Sequence, residues 1–450
     1  MRVLAIGGDI PYRDHDRERV TAVNIVLYQL MTGLAELGHE IMYQPVFNEF
    51  RTKTVLSPSE EEAFQHLGTL GVQVLTPIYP AEYHLTGRPK SRLGKILSLV
   101  GWGLGGSGLK EYYPAVVLRD TMQEKIRTHH ADAVLTIWSP EGVAATDGIR
   151  DVSRVAYHGD LDFGPAAARL RDRSLFGDPS ANAWSGRVVI ASVLQRLWLA
   201  RFKRAHLHLM RDLDVIANVT ACNADFYAAH GHPRSVYVNN VWVDPGFREF
   251  GGKDPIPGIG TPERRIKILG HVGKVSQTGS TYGLRFLLAD VLPELDRVMM
   301  GLDFEVQVIG GGEVVPALRS LLRHPRLVLR GFVEDLDTEL RSSDVFLLLN
   351  NAGSYQAAYT RHVVAWAQGL CLVVHENSCR AIPEIRHMEN ALVGSTPEEI
   401  ARMIHVAATN QEVNRRVRKG GRATYERYFT PAVVAGMLAD EIERAVSARG

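Results

Sequence analysis

Apolar and polar positions alternate most plainly in the second half of the chain. Short apolar runs recur at IKILGHV (266–272), FEVQVIG (304–310), RLVLRGF (326–332), VFLLLN (345–350) and LCLVVH (370–375). Amphipathic stretches of roughly 10–18 residues separate them. Apolar strands alternating with such helices build βαβ units around a parallel sheet covered on both faces. Right-handed crossovers put the helices there. Tyr359, Val363, Trp366 and Leu370 fall at helical spacing, and Gly369 can take the left-handed conformation that ends such a helix. Thr396-Pro397-Glu398-Glu399 supplies a capping hydroxyl, a first-turn proline and a glutamate three residues after the cap, so a helix is expected over 397–408.

The first half follows the same grammar less cleanly. VLAIGG (3–8) reads as a strand closing on two glycines, followed by a helix from Val20 to Leu37 that stops at Gly38. Further strands are expected near 40–44, 71–75, 133–138, 153–158, 214–218 and 235–239. Residues 45–70 and 77–113 read as insertions. GGKDPIPGIGTP (251–262) holds three prolines and four glycines, which disfavours any regular element and marks a domain boundary. The expected units are 1–250, 251–428 and a helical segment over 429–450.

A chain of 450 residues exceeds one ordinary core, which agrees with two domains. Its apolar content of 45% and charged content of 22% are those of a globular protein. A formal charge of +1 gives no bulk electrostatic case for nucleic acid as a partner. Cys222, Cys371 and Cys379 are sparse and odd in number, which suits a reducing cytoplasm. They have neither CxxC spacing nor clustered histidines, so no zinc site is expected. The start MRVLAIGGDIPY lacks the apolar segment of a signal peptide. ILSLVGWGLGGSGL (96–109) is shorter than the roughly 20 residues that span a bilayer. It reads as a loop that covers a site or touches lipid. RLWLARFKRAHLHLMRD (196–212) is basic and amphipathic in parts, as an ordinary half-exposed helix or one facing an anionic acceptor or lipid surface would be.

Ligands of parallel sheets bind beyond the carboxyl ends of the strands. That directs attention to the loops after positions 7, 158, 272, 310, 332 and 350. In HVGKVSQTG (271–279), Gly273 permits close backbone approach, Lys274 supplies positive charge, and a helix beginning near Thr281 would offer amides to a phosphate. The Walker A pattern is absent, and a plain turn with a solvated lysine is the structural alternative. In VIGGGEV (308–314), Gly311 and its neighbours allow a tight turn beneath a nucleotide, or serve only helix–sheet packing. In RGFVEDL (330–336), Phe332 can stack on a base while the backbone at Val333 reads its edge; otherwise Phe332 staples a helix over 335–342. NNAGSYQAAYTRHVVAWAQGLCLVV (350–374) forms a cradle of small and polar residues leading into a helix.

The order and spacing of these pieces resemble the GT-B fold glycosyltransferases, specifically the retaining group called family 4, most strongly over about 266–410. That family opens its second domain with a strand, a Gly-Arg pair and a Lys-Gly pair, and HVGKVSQTG stands there. GLCLVVHENSCRAIPEIRHMENALVG resembles its apolar strand, Pro-Glu pair (Pro383-Glu384) and Glu-Asn turn (Glu389-Asn390). SVYVNNVWVDPGF (235–247), with Asn240, Val241 and Asp244, is similar to the end of its first domain. The resemblance implies an α/β protein of two Rossmann-like domains facing a central cleft, with a C-terminal helix crossing back to the first. The donor-binding set it implies is Gly273, Thr278, Gly311, Phe332, Val333, Ser354, Tyr355, Gln356 and Thr360.

Departures accompany the resemblance. Gln356 and Val364 stand where the family has two glutamates, Lys274 where it has an arginine, and Thr278 where it has a lysine. Thr360-Arg361 resembles a Thr-Arg pair of neighbouring members, and Arg361 would restore charge beside a phosphate. On the acceptor side, VAYHGDLDF (155–163) puts His158, Asp160 and Asp162 past a strand end, and Gly8 and Asp9 occupy the first glycine loop. His158, Lys274 and Arg361 are the expected catalytic residues.

The implied activity is retaining transfer of a sugar from a nucleotide diphosphate sugar, as co-substrate, to a hydroxyl-bearing small-molecule, saccharide or lipid-linked acceptor. No metal or other cofactor is expected, nor any nucleic acid partner; the expected location is cytoplasmic, with peripheral contact at the inner membrane face admitted. Two other readings stay open: a noncatalytic nucleotide-sugar-binding or partner subunit, and a sugar-nucleotide epimerase.

Overall fold

A computed structural model of the chain describes residues 1–13, 21–48, 51, 54–83, 109–177, 186–246, 265–353, 355 and 360–449. The expected boundary at 251–262, all but the last residue of the 96–109 loop, and Ser354 and Gln356 lie outside the described residues.

Two parallel sheets organise the fold. The first holds β1 (Arg2–Gly7), β2 (Glu40–Pro45), β3 (Val72–Val74), β4 (Ala133–Ile137), β5 (Ser153–His158), β6 (Val215–Asn218) and β7 (Ser235–Tyr237), in the order β3-β2-β1-β4-β5-β6-β7. The second holds β8 (Ile266–Val272), β9 (Phe304–Ile309), β10 (Leu327–Gly331), β11 (Val345–Leu348), β12 (Leu372–His375) and β13 (Leu392–Gly394), in the order β10-β9-β8-β11-β12-β13. In each sheet the order reverses beside the first strand, β1 or β8. Such a switch point opens a crevice at the carboxyl ends of the strands.

Strands β4 and β5 are buried along their whole length, and β1 everywhere but Arg2. Their alternate side chains feed separate cores: Val3, Ala5 and Leu135 on one face, Leu4, Ile6 and Val134 on the other. That two-sided burial explains why these strands read as continuous apolar runs rather than as alternation.

The chain crosses between domains near its end. The helix Gln411–Tyr428 packs on the second domain, with Gly421 against the Trp366 ring and Arg418 Nε donating to the Gly369 carbonyl at 2.7 Å. The next helix, Pro431–Ser447, lies on the first domain. Its Val434, Leu438, Ile442 and Ala445 join the core there, and Ser153 Oγ donates to the Ala445 carbonyl at 3.1 Å. Burial of each such valine, leucine or isoleucine side chain stabilises by about 1.5–3 kcal/mol. The expected architecture of two facing Rossmann-like domains and a returning C-terminal helix is present.

One local expectation needs correction. The helix after HVGKVSQ begins at Thr278, three residues before Thr281, because the buried Thr278-Gly279-Ser280 turn is held by packing rather than by helix propensity. The tract at 196–212 forms the half-exposed helix expected of it, as the tail of a 26-residue helix, Gly186–Arg211. Cys371 is buried beside β12, and burial pushes its thiol up to about 12, so it acts as a core filler. Among the described residues no helix is long and apolar enough to cross a membrane.

Candidate functional site

The ends of β8, β9 and β10 are tied into one surface. Gly273 N–H donates to the Ile309 carbonyl at 2.9 Å, Gly310 N–H to Gly331 at 2.7 Å, and Val275 N–H to Gly311 at 3.1 Å. Gly310 has φ +131°, and a Cβ there would overlap the Gly273 carbonyl, so only glycine lets the two loops approach this closely. Gly273 itself, at φ +108°, has open space where a side chain would stand.

Lys274 follows, exposed, with its stem beside Gly312 and no carboxylate partner among the described residues. His271, at the end of β8, is buried and bridges two groups. Its Nε2 meets the Gly273 carbonyl at 3.1 Å, and its Nδ1 meets Arg361 Nη1 at 2.9 Å. Burial first, and the Arg361 charge second, hold its pKa well below the ordinary histidine value. The ring is therefore neutral. Nε2–H donates to the carbonyl and the Nδ1 lone pair accepts from the guanidinium.

Arg361 projects from the helix Thr360–Ala367, which also carries Thr360 and the half-buried Val364. Thr278 is buried at the first position of the helix Thr278–Phe286, and its Oγ1 receives Arg169 Nε at 3.2 Å. Past β10, Phe332 is 58% exposed and Val333 half-buried. Beside them lies a cavity of about 470 Å³ lined by Val275, Val308, Gly310, Gly312, Val314 and Leu329.

Across the cleft, β5 ends on His158, which is buried with its Nε2 unpartnered. Burial drives its pKa down to about 4, the nearby Asp162 opposing. Asp162 belongs to a buried network. Tyr113 OH donates to Asp162 Oδ2 at 2.8 Å, His206 Nδ1 lies 3.1 Å from that oxygen, and His206 Nε2 lies 2.6 Å from Tyr227 OH. Burial alone would raise the Asp162 pKa, but His206, His158 and Tyr113 together hold it below the usual carboxylate range. Asp162 thus faces protein partners, while Asp160 takes a cross-cleft bond from Tyr355 OH at 3.3 Å. At the end of β1, Gly8 packs near Ser139, and burial raises the Asp9 carboxyl to about 6 against the pull of Arg51.

Further bonds join the domains. Tyr282 OH donates to the Asp172 carboxylate and, at 3.3 Å, to the Ala168 carbonyl. Glu384 accepts from Tyr237 OH at 2.9 Å and from Asn239 Nδ2 at 2.6 Å. Arg422 reaches both oxygens of Asp244, at 3.1 and 2.8 Å.

The structure therefore gathers Gly273, Lys274, Thr278, Gly311 and Arg361 about the end of β8, brings Tyr355 onto Asp160, and places His158 and Asp9 on the opposing domain. Sequence reasoning missed His271, His206 and Arg169. His271 stands inside an apolar strand run, which gives no sign of its contacts. The partners of the other two come from distant segments, which no local spacing signals. Among the described residues no group of three or more His, Cys, Asp or Glu side chains is arranged to hold a metal ion.

A family model described as "Glycosyl transferases group 1" matches residues 266–410. No curated protein matches the chain in sequence. Among solved structures, the chain is similar to sucrose-phosphate synthase from Thermosynechococcus elongatus, with 12% identity, a TM-score of 0.61 and 100% of each chain covered. It is similar to Anabaena HepE in complex with UDP-glucose, with 11% identity, a TM-score of 0.58 and coverage of 99% of this chain and 100% of the other. It is also similar to a trehalose 6-phosphate synthase from Burkholderia multivorans, with 10% identity, a TM-score of 0.57 and coverage of 100% and 97%. These likenesses establish a shared fold.

Proposed function

We propose that the protein is a glycosyltransferase that moves a sugar, with retained configuration, from a nucleoside diphosphate sugar to a hydroxyl acceptor. The observation that carries this reading is that the end of β8 holds both Lys274, which has no carboxylate partner among the described residues, and an Arg361 held by His271, beside the open face of Gly273. The match of residues 266–410 to a glycosyltransferase family supports it. The second domain (251–428) takes the donor, the first (1–250) takes the acceptor, and residues 429–450 return to the first.

In this mechanism the bond from the anomeric carbon to the diphosphate oxygen breaks, and its electron pair leaves with the diphosphate. Lys274 and Arg361 lie where that charge develops, which is electrostatic catalysis by preplaced cations. They fill the role a metal would otherwise take. The acceptor hydroxyl attacks the same face and gives its proton to the departing phosphate. His158, held neutral at pH 7 by burial at the end of β5, lies on the acceptor side, where it lines the place of the transferred sugar. The Tyr355–Asp160 bond draws the domains together and limits water at the reacting carbon.

Val364 favours a second reading, a noncatalytic nucleotide-sugar-binding subunit, because a half-buried valine cannot bond a ribose hydroxyl. Purified protein incubated with UDP-, GDP-, ADP- and TDP-sugars and a panel of hydroxyl acceptors separates the two. Product that requires acceptor, and is lost in Lys274→Ala, supports the transferase. Donor binding without turnover supports the subunit. A changed sugar nucleotide formed without acceptor identifies an epimerase instead.

A further inference from the structure

The segment from Gly164 to Gly177 follows β5 in sequence, yet it lies on the second domain. Leu175 packs against the cluster of Val275, Leu284, Val308 and Leu318. Ala168 and Phe176 meet Tyr282, and Gly177 abuts Pro316. The helix Gly164–Arg171 holds Arg169 at the start of the helix Thr278–Phe286, where its Nε donates to Thr278 Oγ1 at 3.2 Å.

Only that one nitrogen of the guanidinium is engaged with a described residue. No carboxylate pairs with Arg169 among the described residues, and its other contact is the face of Phe176 at 5.8 Å. Lys274 stands in the same strand-to-helix turn, equally without a carboxylate partner. Both side chains are exposed, so the turn carries positive charge that no carboxylate among the described residues offsets and that a bound anion would. The guanidinium keeps free donors in the fork geometry that matches phosphate oxygens.

We infer that Arg169 is a donor-diphosphate ligand contributed by the first domain. This rests on the transferase reading and adds to it. Thr278 stands where the resembled family has a lysine, and Arg169 brings positive charge to that place from the other side of the cleft. The diphosphate site is then complete only while the Gly164–Gly177 segment is docked. Charge stabilisation of the leaving group is thereby tied to closure, and a donor bound to an open cleft is spared hydrolysis.

The test measures binding of inorganic pyrophosphate, and of UDP, GDP, ADP and TDP, by calorimetry at low and high salt. The proteins are wild type, Arg169→Gln, Arg169→Lys and Tyr282→Phe. Tyr282→Phe removes the neighbouring cross-domain bonds without touching charge. R169Q is expected to weaken pyrophosphate and the best nucleoside diphosphate by about tenfold or more and to flatten their salt dependence. R169K should fall between, and Y282F should stay within about twofold of wild type, because Leu175, Phe176 and Gly177 keep the segment docked without the hydroxyl. Wild-type-like binding by R169Q overturns the role of Arg169 and leaves the transferase reading intact. Equal weakening in R169Q and Y282F with the salt dependence as steep as in wild type also overturns it, since docking without a charge contact would then explain the effect. If wild type binds none of these anions, both readings fall. Should R169Q not fold, R169K decides: unchanged affinity and salt slope reject the inference.

Discussion

Arg361 Nη1 lies 2.9 Å from His271 Nδ1, so a cation and a neutral imidazole are in direct contact at the end of β8. The same ring donates to the Gly273 carbonyl at 3.1 Å. One buried side chain thus fixes both the glycine loop and the orientation of a proposed catalytic arginine. His271→Ala leaves a buried carbonyl and a guanidinium short of a partner. A loss of about 1–3 kcal/mol in urea unfolding is expected. Transfer should also fall by at least about tenfold, as for a lost charge-orienting contact. Turnover equal to wild type would show that Arg361 needs no such support.

The touch between the β8 and β9 loops depends on Gly310. Gly310→Ala would drive a methyl group into the Gly273 carbonyl and force a residue with a side chain to hold φ +131°. A destabilisation of about 2–4 kcal/mol is expected, with weaker nucleotide binding because the Gly273 loop must move. A thermal melt unchanged from wild type would contradict this geometry.

Burial holds His158 neutral down to about pH 4, against an ordinary value of 6.5. Between those two values the unfolded chain binds the additional proton. Stability from this residue therefore falls as pH drops from about 6.5 to about 4 and is level above. The full difference is about 3 kcal/mol. Asp9, raised to about 6, acts in the opposite sense as pH rises from about 4 to 6, so wild type and His158→Gln must be compared at each pH. Urea unfolding at pH 7.5, 5.5 and 4.5 should show a shallower acid loss in H158Q (test conditions chosen about the two pKa values). Parallel profiles would exclude burial as the cause.

Leu438 tests the returning helix. It is fully buried in the core of the first domain, far in sequence from the strands it covers. Leu438→Ala should cost about 2–5 kcal/mol, read by denaturant unfolding. Loss below about 0.5 kcal/mol would mean that the helix contributes little to that domain.

Much of the fold was legible because the central strands are buried on both faces. The runs at 266–272 and 345–350 could not be mistaken for amphipathic elements, and Gly369, at φ +60°, ends the helix it was expected to end. The helix Thr278–Phe286 starts earlier than its sequence pattern predicts because Thr-Gly-Ser carries no helix signal of its own. The site was legible as a set of strand-end loops, since parallel topology dictates them, and Lys274 and Gly273 stood out there. Its supporting contacts were not. His206 reaches Asp162, Tyr113 and Tyr227 from other segments, and Arg169 reaches Thr278 from the other domain. Long-range pairs of this kind leave no periodicity behind.

The central claim is that a diphosphate rests against Lys274 at the end of β8. Its most direct test is calorimetric titration of UDP, GDP, ADP and TDP into wild type and Lys274→Ala, with a thermal melt to confirm folding. One nucleoside diphosphate should bind wild type in the micromolar range, and K274A should weaken it by at least about tenfold, as for a lost charge-assisted contact. Equal affinity in the two proteins, or no binding to wild type by any of the four, would contradict the account.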